Sequence, residues 1–174
     1  NHDILNKLRD QYPKLKLFDN LDDAIDCDFD GFIIVTPPST HYDVSKKIIR
    51  AKKHILIEKP FTTNFEDAKV LYSLSEKNKI NLMVGHLLLF HPAIVKIKEM
   101  INNDCLGEIQ YLYSNRLNLG TVRKDENVLW SFAPHDIALF QYIIDSYPIQ
   151  IESRGLDIIQ NGIHDTTITT LKYS

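Results

Sequence analysis

The stretch GFIIVTPP, residues 31–38, decides the fold of this chain. Its apolar, β-branched residues are typical of a strand that is buried on both faces, and the two prolines end that strand. Strands of this kind occur in parallel sheets that are covered by helices. The stretch therefore predicts an α/β protein.

Strand and helix patterns alternate on both sides of this stretch. Asn64 can cap one of the helices, which has the apolar spacing of an amphipathic helix. Strand–helix–strand order with short connections predicts a parallel sheet with right-handed crossovers. Strands are predicted at residues 14–18, 54–58 and 81–85, and helices at residues 21–25, 42–53 and 64–79.

The second half of the chain has a different pattern, in which strands follow one another without intervening helices. This order predicts a separate α+β domain with an antiparallel sheet. We place the boundary near residues 90–92, which gives domains at residues 1–91 and 92–174. Helices are predicted at residues 93–102 and 134–144, and strands at residues 108–118, 150–154, 157–160 and 166–173.

Three polar turns follow strands of the parallel sheet and should meet at one edge. They are Thr36-Pro37-Pro38, Glu58-Lys59-Pro60 and Gly85-His86. Ligands of such sheets bind beyond the carboxyl ends of the strands. The sequence therefore predicts a binding site at this edge.

Two residues of the chain have suitable chemistry for oxidising an alcohol. An ammonium group at Lys59 can donate to a substrate hydroxyl and favour the charge that develops on its oxygen. His135, at the predicted start of a helix, can take the hydroxyl proton near neutral pH. The alternatives are a solvated lysine and a structural histidine. Trp130 can line a pocket or pack in the core.

A basic group surrounds the end of the long predicted strand. It can bind a diphosphate or a carboxylate, because arginine offers bidentate geometry, or it can be a solvated loop. Its members are Asn115, Arg116, Asn118, Arg123 and Lys124. By contrast, His86 and His91 are five residues apart with no third ligand nearby, so we predict no metal site.

The glycine pattern argues against a complete dinucleotide site within this chain. The six glycines contain no GxGxxG motif, which would cradle a pyrophosphate at a helix start. They are Gly31, Gly85, Gly107, Gly120, Gly155 and Gly162. Both chain ends lie within regular patterns, so we expect either cuts from a longer protein or disordered flanks that were left out.

Composition excludes several classes of protein. A net charge of -3 gives no electrostatic reason to bind nucleic acid. No apolar run approaches the roughly 20 residues that span a bilayer. Cys27 and Cys105 are widely spaced, as is typical of unpaired thiols in a reducing compartment. These features predict a soluble cytoplasmic protein.

The order of several motifs resembles the glucose–fructose oxidoreductase / inositol dehydrogenase (Gfo/Idh/MocA) family. The motifs are VTPPSTHY at 35–42, IEKP at 57–60, VGHLLLFHP at 84–92, LGEI at 106–109, NRLNLG at 115–120 and LWSFAPHD at 129–136. The last two resemble the branch that oxidises the 3-hydroxyl of UDP-N-acetylglucosamine or its uronic acid. The resemblance implies a Rossmann-like domain lacking its first βαβ unit, followed by a truncated α+β domain.

The resemblance implies roles for individual residues. Lys59 and His135 would be catalytic, and Glu58 would lie at the nicotinamide ribose with Lys59 beside it. Thr36, Pro37, Ser39 and His41 would border the cofactor. Asn115, Arg116, Asn118 and Trp130 would contact substrate. Many family members carry an aspartate at the position of Ser131. This chain therefore lacks the carboxylate that would assist the histidine in those members.

The function expected from the resemblance is NAD- or NADP-dependent oxidation of a sugar hydroxyl, in nucleotide-sugar metabolism and polysaccharide biosynthesis. We expect this chain alone to bind the dinucleotide weakly or not at all. A homo-oligomer through the antiparallel sheet is also expected. Two alternatives remain: a dehydrogenase of another sugar or polyol, and a truncated, non-catalytic interaction module.

Overall fold

A computed structural model describes residues 2–117 and 126–174 of the chain. The chain divides into two compact units. The first unit contains Asn1–Ile57 and Phe61–Met83, and the second contains Glu58–Pro60 and Val84–Ser174. None of the helices in the described ranges is long and apolar enough to cross a membrane.

The first unit is built around a parallel sheet of strand order β1-β2-β3. Strands β1 and β2 pair in register, with Ile33 opposite Leu56. The strands are β1 (Gly31–Ile34), β2 (His54–Ile57) and β3 (Leu82–Val84), and the helices are α1 (His2–Gln11), α2 (Leu21–Ile25), α3 (His41–Arg50) and α4 (Phe65–Asn78).

The core of this unit lies between the sheet and helices α3 and α4. Helix α3 packs against β1, β2 and α4. The buried side chains come from all of these elements: Ile34, Ile48, Ile49, Ile55, Ile57 and Leu71 are at most 3% exposed. Full burial of one such side chain contributes about 1.5–3 kcal/mol. Asn64 caps α4, since its Oδ1 accepts the backbone N–H groups of Glu66 and Asp67.

The second unit combines two helices with a β-hairpin. Helix α6 contacts α5 and β5. Strands β4 and β5 are antiparallel, with Ser153 opposite Thr169 and their hydroxyl oxygens 2.8 Å apart. The elements are α5 (Pro92–Asn102), α6 (Val128–Ile144), β4 (Gln150–Leu156) and β5 (Thr166–Lys172).

The α/β fold class is confirmed, with a parallel Rossmann-like sheet and a separate antiparallel pair. Three predicted strands are wrong. Residues 14–18, 157–160 and the described part of 108–118 lie outside the strands. A strand needs a hydrogen-bonded neighbour, and no described residue forms a ladder with these segments.

Candidate functional site

Lys59 lies two residues after the end of β2 and belongs to the second unit. Its side chain is half-buried, and its Nζ donates to the backbone carbonyl oxygen of Ser131 at 2.8 Å. The peptide bond that joins Lys59 to Pro60 is cis. The contact fixes the ammonium group beside helix α6, although the two residues are 72 positions apart.

Glu58 and Gly85 lie against each other in the same unit. A Cβ on Gly85 would be 3.3 Å from both carboxylate oxygens of Glu58, so glycine at this position leaves room for the carboxylate. The backbone N–H of Lys59 also donates to Glu58 Oε2, at 3.3 Å. The remaining acceptor capacity of this carboxylate suits sugar hydroxyls.

His135 lies on α6 in an environment that opposes its protonation. Burial lowers the pKa of His135, and the positive charges of Lys59, Arg116 and His86 lower it further, whereas Asp136 raises it. Its Nδ1 is buried and has no hydrogen-bond partner among the described residues. The neutral ring is therefore favoured near neutral pH and can accept a proton from a ligand.

Arg116 is held by the carboxylate of Asp136. Arg116 Nε donates to Asp136 Oδ2 at 2.6 Å, and Ser114 Oγ donates to Asp136 Oδ1 at 2.9 Å. Asp136 thus uses both oxygens to orient two residues of the extended segment that precedes α6. We call Lys59, Arg116, Ser131, His135 and Asp136 the Lys59–His135 cluster.

Ser131 links Lys59 to a carboxylate. The Ser131 side chain is buried, and its Oγ donates to Glu126 Oε1 at 2.8 Å while its carbonyl oxygen accepts from Lys59. Sequence reasoning missed Glu126 and gave Asp136 no role. Asp136 had one signal, its position beside His135, whereas Glu126 had none.

His86 follows β3 in the second unit and also carries a buried, unpartnered Nδ1 within the described part of the chain. Burial lowers the pKa of His86. His86 is also one of the groups that lower the pKa of His135. Across residues 2–117 and 126–174, no group of three His, Cys, Asp or Glu side chains is arranged to hold a metal ion.

Three of the four predicted cofactor-border residues of the first unit lie in the turn after β1, and the fourth, His41, is the first residue of α3. Thr36, Pro37 and Ser39 are exposed. His41 is 1% exposed, and its Nε2 lies 2.9 Å from the Thr36 carbonyl oxygen, so this ring closes the turn from inside.

The predicted substrate residues are only partly brought together. Arg116 joins the cluster, Trp130 is 42% exposed at the start of α6, and Asn115 is exposed. Asn118, Arg123 and Lys124 lie outside the described residues.

Comparisons with known proteins agree on one family. Residues 6–86 match the model of the oxidoreductase family with an NAD-binding Rossmann fold. UDP-N-acetylglucosamine 3-dehydrogenase of Acidithiobacillus ferrooxidans is 32% identical over 135 residues, covering 77% of this chain and 42% of the relative. Inositol 2-dehydrogenase of Rhizobium meliloti is 23% identical over 150 residues, covering 82% of this chain and 46% of the relative.

A solved structure of the Acidithiobacillus ferrooxidans enzyme has a TM-score of 0.84 and 26% identity. The match covers 97% of this chain and 54% of that one. The chain therefore spans about half the length of the relatives it matches. The family motifs, the parallel sheet and these similarities lead to one conclusion: the chain belongs to the Gfo/Idh/MocA family of NAD-binding oxidoreductases.

Proposed function

We propose that the protein oxidises a secondary hydroxyl of a sugar, with a nicotinamide dinucleotide as the acceptor. The observation that supports this most directly is the pairing of an ammonium with a neutral imidazole in one unit. Lys59 is anchored on the Ser131 carbonyl, and its charge is near enough to lower the pKa of His135. A hydroxyl between the two groups would have a donor and a proton acceptor.

In the proposed reaction, the Lys59 ammonium donates to the oxygen of the substrate hydroxyl and stabilises negative charge that develops there. His135 accepts the hydroxyl proton as the carbonyl forms. The bound nicotinamide supplies the acceptor for the hydride that leaves the same carbon. One proton and one hydride are removed, so the alcohol becomes a ketone.

The residues of the second unit fit the nicotinamide-ribose end of such a cofactor. A Cβ on Gly85 would crowd the Glu58 carboxylate at 3.3 Å, and carboxylate oxygens are suitable acceptors for ribose hydroxyls. In this proposal Thr36, Pro37, Ser39 and His41 border the cofactor from the turn after β1. The choice between NAD and NADP stays open. Weak binding by this chain alone stays a prediction.

For the substrate, we propose a UDP-N-acetylhexosamine or its uronic acid, oxidised at C3. Support comes from the similarity to UDP-N-acetylglucosamine 3-dehydrogenase and from the Arg116 guanidinium, which suits phosphate or carboxylate oxygens. Trp130 at the start of α6 offers an exposed ring, and Asn115 and Asn118 would complete this side. The similarity to an inositol 2-dehydrogenase favours a polyol as the second candidate.

Calorimetry tests the proposal on the protein expressed from the complete reading frame that encodes this chain. We expect binding of NADH, and binding of UDP that Arg116→Gln weakens about tenfold or more. The matched control is Arg9→Gln, an exposed arginine of α1. Binding of NADH without UDP would favour another sugar or polyol. Binding of neither would favour the non-catalytic interaction module.

A further inference from the structure

The first turn of α6 carries two hydrogen bonds that ordinary helix capping does not explain. The cap itself is Asn127, whose Oδ1 accepts the Trp130 N–H. Ser131 uses its hydroxyl to donate to Glu126 at 2.8 Å and its carbonyl to accept Lys59 Nζ at 2.8 Å. Ser131 is 8% exposed, so both bonds start from a buried residue, and each is partly buried.

The first turn of α6 needs an additional contact to hold its backbone, because one helical hydrogen bond is missing there. Pro134 lies inside α6 and has no N–H to donate to the Trp130 carbonyl four residues earlier. The backbone next to Ser131 therefore lacks one bond of the helical ladder. The Glu126–Ser131 bond joins the residue before the cap to the buried side of this turn, and so fixes the carbonyl that holds Lys59.

We propose that Glu126 is a positioning residue, which acts through the Ser131 hydroxyl to hold the Lys59 ammonium where the reaction needs it. The catalytic consequence rests on the proposed dehydrogenase function, whereas the effect on Lys59 does not. A charged acceptor gives a stronger hydrogen bond than a neutral one, which explains a carboxylate at this position.

Steady-state kinetics on the protein from the complete reading frame test the catalytic consequence. Glu126→Ala and Ser131→Ala should each lower kcat by about tenfold to a hundredfold, with a smaller change in KM, because a misplaced donor costs rate. The double variant should be no slower than the worse single variant. Glu126→Gln, which keeps an acceptor oxygen, should recover part of the rate.

The matched control is Glu99→Ala, an exposed glutamate of α5 whose carboxylate pairs with Lys96. It should retain the wild-type kcat. Wild-type kcat in Glu126→Ala, or full additivity with Ser131→Ala, would overturn the proposal. If Ser131→Ala does not fold, the Glu126→Ala and Glu126→Gln pair decides.

Reductive methylation, followed residue by residue with mass spectrometry, separates this proposal from the proposed function. Lys59 should react at least about twofold faster in Glu126→Ala than in the wild type, while Lys98 reacts at an unchanged rate. An unchanged rate at Lys59 would overturn the positioning role even in an active enzyme. A faster rate in a protein without dehydrogenase activity would support the positioning role and contradict the function.

Discussion

The ammonium of Lys59 is bound to a backbone carbonyl, and this separates it from a solvated lysine at the end of a strand. A neutral carbonyl anchors the positive charge without cancelling it, so the charge still acts on His135. The same charge favours the neutral form of the imidazole, as a proton acceptor requires. Lys59 thus supports both halves of the proposed chemistry.

The pH dependence of kcat/KM follows from the lowered pKa of His135. A proton acceptor must be neutral, so activity is lost as pH falls through this pKa. Because burial and three positive neighbours lower that pKa, the acidic limb should lie below about pH 6.5, the ordinary value for histidine. A limb clearly above that pH would contradict the assignment of His135.

Arg116→Gln should shift the acidic limb of the kcat/KM profile to higher pH. The substitution removes a positive charge that lowers the pKa of His135, and it leaves Asp136, which raises it, without its arginine partner. A pH profile of the variant checks the direction. Arg9→Gln, at an exposed arginine of α1, serves as the control and should leave the acidic limb in place.

Individual helices and strands show which parts of the fold can be predicted from the sequence alone. The three strands of the parallel sheet and α4, including its Asn64 cap, were predicted because apolar, β-branched runs and local capping leave a direct signal. The expected burial on both faces of β1 was wrong, since Ile33 is 70% exposed. Residues 108–118 have an alternating pattern but do not form a strand where they are described, and Tyr111 and Tyr113 are 77% and 76% exposed. Alternation of apolar and polar residues indicates a segment with one apolar face. It does not indicate whether a neighbouring strand is available for pairing.

The site was less predictable than the elements. Lys59 and His135 could be singled out by their chemistry and by resemblance, but their anchoring could not. The bonds from Lys59 to Ser131 and from Arg116 to Asp136 join residues that are 72 and 20 positions apart. Such contacts depend on tertiary packing, which no local pattern encodes.

Helix α4 offers a test of the core at the scale of an element. Leu71 is fully buried, so Leu71→Ala should lower the free energy of unfolding by about 2–5 kcal/mol through lost burial and a residual cavity. Its neighbour Val70 is 44% exposed, and Val70→Ala should change stability by less than about 0.5 kcal/mol. Urea unfolding measures both. Equal effects would contradict the observed packing of the helix.

At the scale of the whole molecule, the β4–β5 sheet is the surface through which we propose that two copies associate. Ile168 is 76% exposed on β5, opposite Arg154. Ile168→Asp should dissociate the proposed homo-oligomer, whereas Ile4→Asp on α1, where the side chain is 55% exposed, should not. Sedimentation velocity distinguishes the two. A monomeric wild-type protein would contradict this assembly.

The measurement that tests the account most directly is sugar-dependent formation of NADH by the protein from the complete reading frame. UDP-N-acetylglucosamine, its uronic acid and inositol are the substrates to compare. We expect the wild type to reduce NAD with one of them, and Lys59→Met to lose at least about a hundredfold to a thousandfold in kcat. The control is Lys98→Met, because Lys98 also donates to a backbone carbonyl, that of Ile143. Wild-type activity in Lys59→Met, or no reduction of either NAD or NADP with any of these substrates, would contradict the account.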